Sequence, residues 1–455
     1  MEVVRSTITA APLVRTAMAE RTDVDEIRER ATVVDDHASL APLLDRLEQA
    51  EVVLIGEATH GTAEFYELRS WLTAHVLRAN DRAFVAVEGD WAPCTHLDRY
   101  VRGRAPIATA RAALEAITRW PTWLLANEEV CRFLEWLAAV NRGRRVPVGF
   151  HGIDVYGLFD TVDQLIDRLA RIDEGAARQA RALRSRLATG GGDADTVEST
   201  TSQLELPEAD AFDRLDRAIH ALGPVSPPGD RFDLEQHALV VRNAARFHAA
   251  SGDPDRNDWN LRSHHMLTSL DRLRSFHGWD ATAVVWAHNS HVGDARATDM
   301  ADRGDVTLGQ LVRDRYGPDA VSLVGFGTHR GSVIAAPAWA APMQQMPVPP
   351  AVPGSIDELF HSADGFDRLM LSDRVDPGSG QSIDRPQRAI GVVYDPNREA
   401  DNYVPTCLRA RYDAYLHLDA TNAVRPLAWS MSDVTSPTNW VLPPVDSYGS
   451  RPLPK

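Results

Sequence analysis

Lysine is all but missing from this sequence, because Lys455, the last residue, is the only one. Schiff-base chemistry, a Ser–Lys dyad and a phosphate-binding P-loop each need an internal lysine, so all three are excluded. Cysteine is nearly as scarce. Cys94, Cys131 and Cys407 are too few and too scattered for a disulfide framework or a thiolate metal site, which fits a reducing compartment. No uncharged apolar run approaches the roughly 20 residues of a membrane span. Arg5 and Arg15 interrupt the first apolar residues before a signal-peptide segment develops, so a cytoplasmic location is expected. Positive charge is also in deficit. A formal net charge of −16 repels nucleic acid and anionic membranes, and no basic run interleaved with aromatics offsets it. The partner left by these exclusions is a small-molecule substrate, with the oligomeric state open. Gly-x-Ser-x-Gly, His-Glu-x-x-His and a strand-following Gly-x-Gly-x-x-Gly are absent as well.

What the chain does have is a repeated pattern of short apolar runs that end in acid or imidazole. Val52 to Ile55 runs into Gly56-Glu57-Ala58-Thr59-His60, and Ala83 to Val87 into Glu88-Gly89-Asp90. Val146 to Phe150 leads to His151 and Asp154, and Ala283 to Ala287 leads to His288 and His291. Val321 to Phe326, Arg388 to Tyr394 and Ala414 to Asp419 have the same form, and the last two are expected to complete the sheet. Alternating with helical stretches such as Ala63 to Val76, these runs predict an α/β fold with a largely parallel sheet covered on both faces. Ser39 is expected to cap a helix over Leu40 to Gln49.

The strand signal disappears between residues 159 and 251, where amphipathic Arg- and Ala-rich segments predict a helical insertion. Its breaks fall at Thr189-Gly190-Gly191-Gly192-Asp193 and at Pro224 to Gly229. The domain reading is therefore a first part of the core over 1–158, an inserted lid or substrate wall over 159–251, and a second part of the core over 252–455. The arginines of the insertion are expected on solvated faces, paired with Asp and Glu. The Pro- and Met-rich stretch from Ala335 to Pro353 reads as an irregular wall.

In a parallel sheet the C-terminal strand ends share one edge, where ligands collect, so Glu57, His60, Glu88, Asp154, His288 and His291 are candidates to converge. His60 sits at a helix N-terminus, whose dipole disfavours the protonated ring and keeps a neutral base near pH 7. A carboxylate such as Glu57 on one ring nitrogen fixes the tautomer and stabilises the imidazolium formed when the other takes a proton. The competing reading makes Glu57 a cap of backbone amides and His60 a turn residue. Arg69 can stabilise an oxyanion or neutralise Glu57 and Glu88, and the two roles are compatible. Arg262 and His265 start another helix and are candidates to face the site and bind substrate.

These motifs resemble the erythromycin esterase family. The resemblance rests on Leu54 to Thr62, Glu88-Gly89-Asp90, Gly152 to Val155, Trp259 to Arg262 and Trp286 to Asp294, then on Thr307 to Leu311, Pro353 to Ser355, Ile390 to Tyr394 and Asp413 to Asp419, in that order. It implies a three-layer α/β/α core with a helical lobe, and a hydrolase that opens macrolide lactones by a histidine-activated water without a covalent intermediate, an antibiotic-resistance activity. It makes His60 the base, Glu57 and Glu88 its acidic neighbours, and Arg69 and His288 the rest of the polar site. No metal is required in that scheme. Glu57, His60, Glu88, His288 and His291 would be acceptable ligands if a divalent ion were used. Ser263 stands where many relatives carry Asp, which removes a carboxylate from that helix start. Two alternatives remain at this point: a cyclase or lyase of secondary metabolism using the same base, and a non-catalytic protein that sequesters its ligand.

Overall fold

The structure is a computed structural model that describes residues 17–189, 206–207, 209–225, 228–251, 256–372, 384–428 and 442–445, with positions 204 and 253. The Gly-rich break over 190–193, and residues 226 and 227 of the second break, lie outside the described residues. Among the described residues nine strands make one mixed sheet in the order β1-β8-β11-β6-β2-β5-β3-β4, with β7 added to β6. The strands are β1 (Thr32–Val33), β2 (Val52–Ile55), β3 (Ala83–Asp90), β4 (Gly149–Asp154), β5 (Thr282–Trp286), β6 (Val321–Ala335), β7 (Gln344–Val348), β8 (Arg368–Leu371) and β11 (Ala414–Thr421). The remaining two, β9 (Asp384–Arg388) and β10 (Tyr403–Cys407), form a separate antiparallel pair.

The middle of the sheet is parallel: β2 lies between β5 and β6, and β11 runs alongside β6. Every residue of β2 and β5 is buried, as their uninterrupted apolar runs require. The expected α/β class is therefore the observed one. No helix among the described residues is long and apolar enough to cross a membrane.

Several elements differ from the sequence reading for identifiable reasons. Residues 390–394 do not join the sheet and make isolated bridges instead, Ile390 with Thr59 and Val393 with Ala336. Their backbone groups are taken by the turn after β2, where Ile390 N donates to Ala58 O at 2.8 Å, and by Ala336, whose N–H donates to Val392 O at 3.0 Å and whose carbonyl accepts from Tyr394 N at 2.9 Å. β4 starts later than expected and contains His151 and Asp154, because Val146 is exposed and Pro147 has no N–H for a ladder. The Pro- and Met-rich stretch includes a regular edge strand, β7, antiparallel to the end of β6. Ser39 does not cap the helix Ala41–Gln49. Asp36 caps a preceding 3₁₀ turn by accepting from Ser39 N, and the helix then starts on that turn.

The chain forms two compact units, and β3 and β4 begin in the larger and end in the smaller. The smaller holds Val87–His96 and His151–Trp279, so it extends past the predicted 159–251 at both ends. Within it the helix Leu158–Ala170 packs on Glu174–Thr189 and on Pro228–Ala250, which in turn packs on Asp258–His277. Its arginines pair with acids on partly exposed faces, as in Arg184–Asp163 and Arg242–Asp213.

In the larger unit a strap that follows β11 fixes the turn carrying His60. Val424 N donates to Gly61 O at 2.9 Å, Ile334 N donates to the same oxygen at 3.1 Å, and Ala63 N donates to Asn422 O at 2.8 Å. Side chains reinforce it: Asn422 Nδ2 donates to Glu64 at 2.7 Å and Arg425 Nε to Glu129 at 3.1 Å. A Cβ at Gly61 would lie 2.0 Å from Ile334 O, so only glycine permits this approach. Gly61→Ala is expected to destabilise the protein and to disorder the turn, read as a lower urea midpoint.

Glu67, on the helix Ala63–Ala79, is pushed up to about 8 by burial, with Glu64 and Glu129 adding to the shift and Arg132 opposing it. The folded protein thus holds a proton that the unfolded chain releases above its ordinary value of 4.5. The Glu67 contribution to stability is complete below pH 4.5 and declines as pH rises toward 8. Glu67→Gln should match the wild type at pH 4 and exceed it by on the order of 4 kcal/mol at pH 8, measured by urea unfolding.

Candidate active site

β2 ends at Ile55, and the chain turns at Gly56 into Glu57 and His60 before Thr62 opens the helix Ala63–Ala79. Glu57 is 2 % exposed, and each of its carboxylate oxygens has a partner. Oε1 lies 2.8 Å from His60 Nδ1, and Oε2 accepts from Arg69 at 2.9 Å. An ionised carboxylate only accepts, so Nδ1 carries the ring proton and the lone pair of neutral His60 lies on Nε2. Arg69 is 2 % exposed and also donates from Nε to Gly56 O at 2.8 Å and from its other terminal nitrogen to Ala287 O at 2.7 Å. It therefore anchors Glu57 and ties the helix to the ends of β2 and β5. Tyr66 sits below the guanidinium, 5.3 Å from ring centre to Cζ, and its hydroxyl donates to His60 O at 3.2 Å.

His288 follows β5 and caps the short helix Asn289–Val292, its Nδ1 accepting from Ser290 N at 3.2 Å. A backbone N–H can only donate, so neutral His288 carries its proton on Nε2, the opposite tautomer to His60. The two ring centres are 4.7 Å apart and tilted by 35°. His291 lies on the same turn and is buried. Glu57, His60, Arg69 and His288 are thus brought together in the larger unit.

Glu88, Asp154, Arg262 and His265 are brought together in the smaller unit. Asn257 caps the helix Asp258–His277 and sets its first turn. From that turn Arg262 donates to both oxygens of Asp154, at 2.8 and 2.7 Å, and to Glu88 at 2.7 Å. Burial alone would lower the Arg262 pKa, but Asp154, Tyr156 and Glu88 outweigh it and hold the guanidinium well above its ordinary value. Glu88 is therefore bound by Arg262, while Arg69 holds Glu57. His265 is pushed down to about 4 by burial, so it is neutral near pH 7. It contacts Asp154 O at 3.2 Å and Asn243 Nδ2 at 3.0 Å, which ties it into the helical packing. Ser263 is fully buried.

Sequence reasoning did not assign roles to Tyr66, Tyr156 or Asn289. The first lies on the helix face of Arg69 and the last between His288 and His291, but neither placement signals a hydrogen bond by itself. Among the described residues no group of three or more His, Cys, Asp and Glu is arranged to hold a metal ion.

Removing the shared cation of Glu88 and Asp154 would leave two buried carboxylates without it. Arg262→Met is expected to cost about 3–5 kcal/mol in urea unfolding. Arg262→Lys should recover only part of this, since an ammonium cannot reproduce the bidentate pairing with Asp154.

The fold resembles several solved structures. A succinoglycan biosynthesis protein aligns with a TM-score of 0.69 at 16 % identity, over 90 % of this chain and 100 % of that one. A protein from Bacillus cereus aligns with a TM-score of 0.71 at 15 % identity, over 90 % and 99 %. A mutant of the erythromycin esterase EreC in its open conformation aligns with a TM-score of 0.60 at 18 % identity, over 86 % and 97 %. At these identities the likeness is one of fold. The erythromycin esterase family profile matches residues 79–421, a span that begins after the Glu57–His60 turn and includes the strands that hold it. With that match over most of its length, the chain belongs to the erythromycin esterase family.

Proposed function

We propose that this protein hydrolyses a bulky ester, with macrolide-type lactones the leading substrate class, by direct attack of a water activated by His60. The observation that carries the reading is the buried Glu57–His60 pair at 2.8 Å, whose carboxylate has its second oxygen on Arg69. Glu57 holds Nδ1–H, so Nε2 takes the proton from water as the water oxygen attacks the ester carbonyl. The imidazolium that forms is stabilised by the adjacent carboxylate and returns its proton to the departing alkoxide. His288, an Nε2–H donor through its Ser290 contact, supplies a hydrogen bond to the oxygen that gains charge. Arg69 is a positioning residue for Glu57. No covalent intermediate and no metal enter this sequence of steps, and family membership supports the ester chemistry.

A panel of macrolides and simpler lactones incubated with the enzyme and analysed by mass spectrometry tests the proposal. The expected result is a gain of one water, abolished by His60→Ala and retained with a chelator. Water addition that persists in His60→Ala would remove His60 as the base, and loss on chelation would require a metal. A product of unchanged mass would identify a cyclase instead, and binding without turnover a sequestering protein.

Glu57→Gln keeps the shape but loses the charge that stabilises the imidazolium. Its kcat should fall by roughly 10²–10⁴-fold with KM little changed, in the range of a lost general-base contribution.

A further inference from the structure

Where β2 stops pairing, β6 continues. The last ladder contact between them is Gly56 N donating to Val324 O at 2.7 Å, after which the chain turns away into Glu57. The next inward groups of β6, the N–H and C=O of Phe326, have no β2 residue beside them. The side chain of Asn289 takes that place: its Nδ2 donates to Phe326 O at 2.6 Å, and its Oδ1 accepts from Phe326 N at 3.2 Å. This two-point contact satisfies both groups that a neighbouring strand would otherwise pair, and it fixes which way the amide faces.

The backbone of Asn289 is equally engaged. Its N–H donates to Glu57 O at 2.8 Å, and its carbonyl accepts from Gly293 N at 2.9 Å and from the buried Arg411 at 3.3 Å. Glu57 is the residue whose carboxylate holds His60, and His288 immediately precedes Asn289 in the chain. The separation of 4.7 Å between the two imidazoles is therefore set through one residue that is bound to both sides. Gly56 completes the fit. A Cβ there would lie 2.2 Å from Asn289 Oδ1, so the amide occupies space that only glycine leaves open.

From this geometry we infer that Asn289 is a positioning residue that splices the ends of β2, β5 and β6 together and sets the register of His288 against the Glu57–His60 pair. Aspartate at this position would face Phe326 O with a second acceptor, and alanine would leave both Phe326 groups buried without this partner. Glutamine is too long for the space beside Gly56.

The kinetic part of the test rests on the hydrolytic reading above, and the spectroscopic part does not. Asn289→Ala is compared with the wild type and with Leu43→Ala, a fully buried position on the helix Ala41–Gln49 that serves as a destabilised control. Nitrogen chemical shifts of labelled histidine in the substrate-free protein report the tautomer of each ring. The expected result is that His60 loses its single Nδ1–H form in Asn289→Ala but keeps it in Leu43→Ala. On a hydrolysed ester, kcat of Asn289→Ala should fall by about 10²-fold with KM within about threefold, as expected for a displacement of reacting groups by about 1 Å. Gly56→Ala should be more damaging in the wild type than in the Asn289→Ala background, because one clash is then removed. An unchanged His60 signal, or a loss of kcat no larger than in the control, would overturn the inference. Failure to find any ester substrate would count against the hydrolytic reading alone, since the tautomer readout decides the role of Asn289 without turnover.

Discussion

A carboxylate that is 2 % exposed is the constraint on which the Glu57–His60 corner depends. Taking the charge of Glu57 out of water costs several kcal/mol, and the cost is met only where partners reach both oxygens. Arg69 and His60 do this, at 2.9 and 2.8 Å. The same guanidinium also closes off the backbone carbonyls of Gly56 and Ala287, so one side chain neutralises the acid and joins the ends of two parallel strands. A lysine could not make this set of contacts, because its single nitrogen has no fork to divide between a carboxylate and two carbonyls. The near-absence of lysine from the chain is matched by buried arginines elsewhere, among them Arg262, Arg388 and Arg411, each holding several acceptors at once.

The proposed role of His60 as a base requires a position that does not have to be found anew in each turnover. Backbone contacts with remote segments hold the His60 turn in this way. Ala58 O receives Ile390 N, Gly61 O receives both Ile334 N and Val424 N, and Glu57 O receives Asn289 N. Each is a modest bond, worth about 1 kcal/mol net. Their value lies in direction, since they hold the turn from several sides and leave it few ways to move.

How far the sequence revealed this depends on the range of the interaction. Uninterrupted apolar runs at Val52–Ile55 and Ala283–Ala287 marked central strands, because burial on both faces leaves a local signature. The acids and imidazoles after those runs marked candidate residues for the same reason. The Glu57–His60 pairing and Arg69 as a cation for Glu57 were readable from local spacing, whereas the partner of Glu88 was not. Nothing near Glu88 in the chain shows that Arg262 takes it, since Arg262 lies 174 residues from its acid. Residues 390–394 carry the composition of a strand, yet their N–H and C=O groups are used to tie down Ala58 and Ala336, and composition does not distinguish a ladder from a tether. Pro347 disguised β7, because proline is a strand breaker only where its missing N–H would have been needed.

The glycines show the same division from the other side. Gly56 and Gly61 flank the Glu57–His60 pair. Neither has a positive φ. They are glycine because something occupies the space of a side chain: the amide of Asn289 against Gly56, and the carbonyl of Ile334 against Gly61. Both intruding groups come from segments more than two hundred residues downstream in the chain. The motif therefore records, in its own small residues, the approach of β6 and of the turn after β5. A buried imidazole held in one orientation is built by the whole larger unit, and the residues next to it in sequence supply its acid partner but not its geometry.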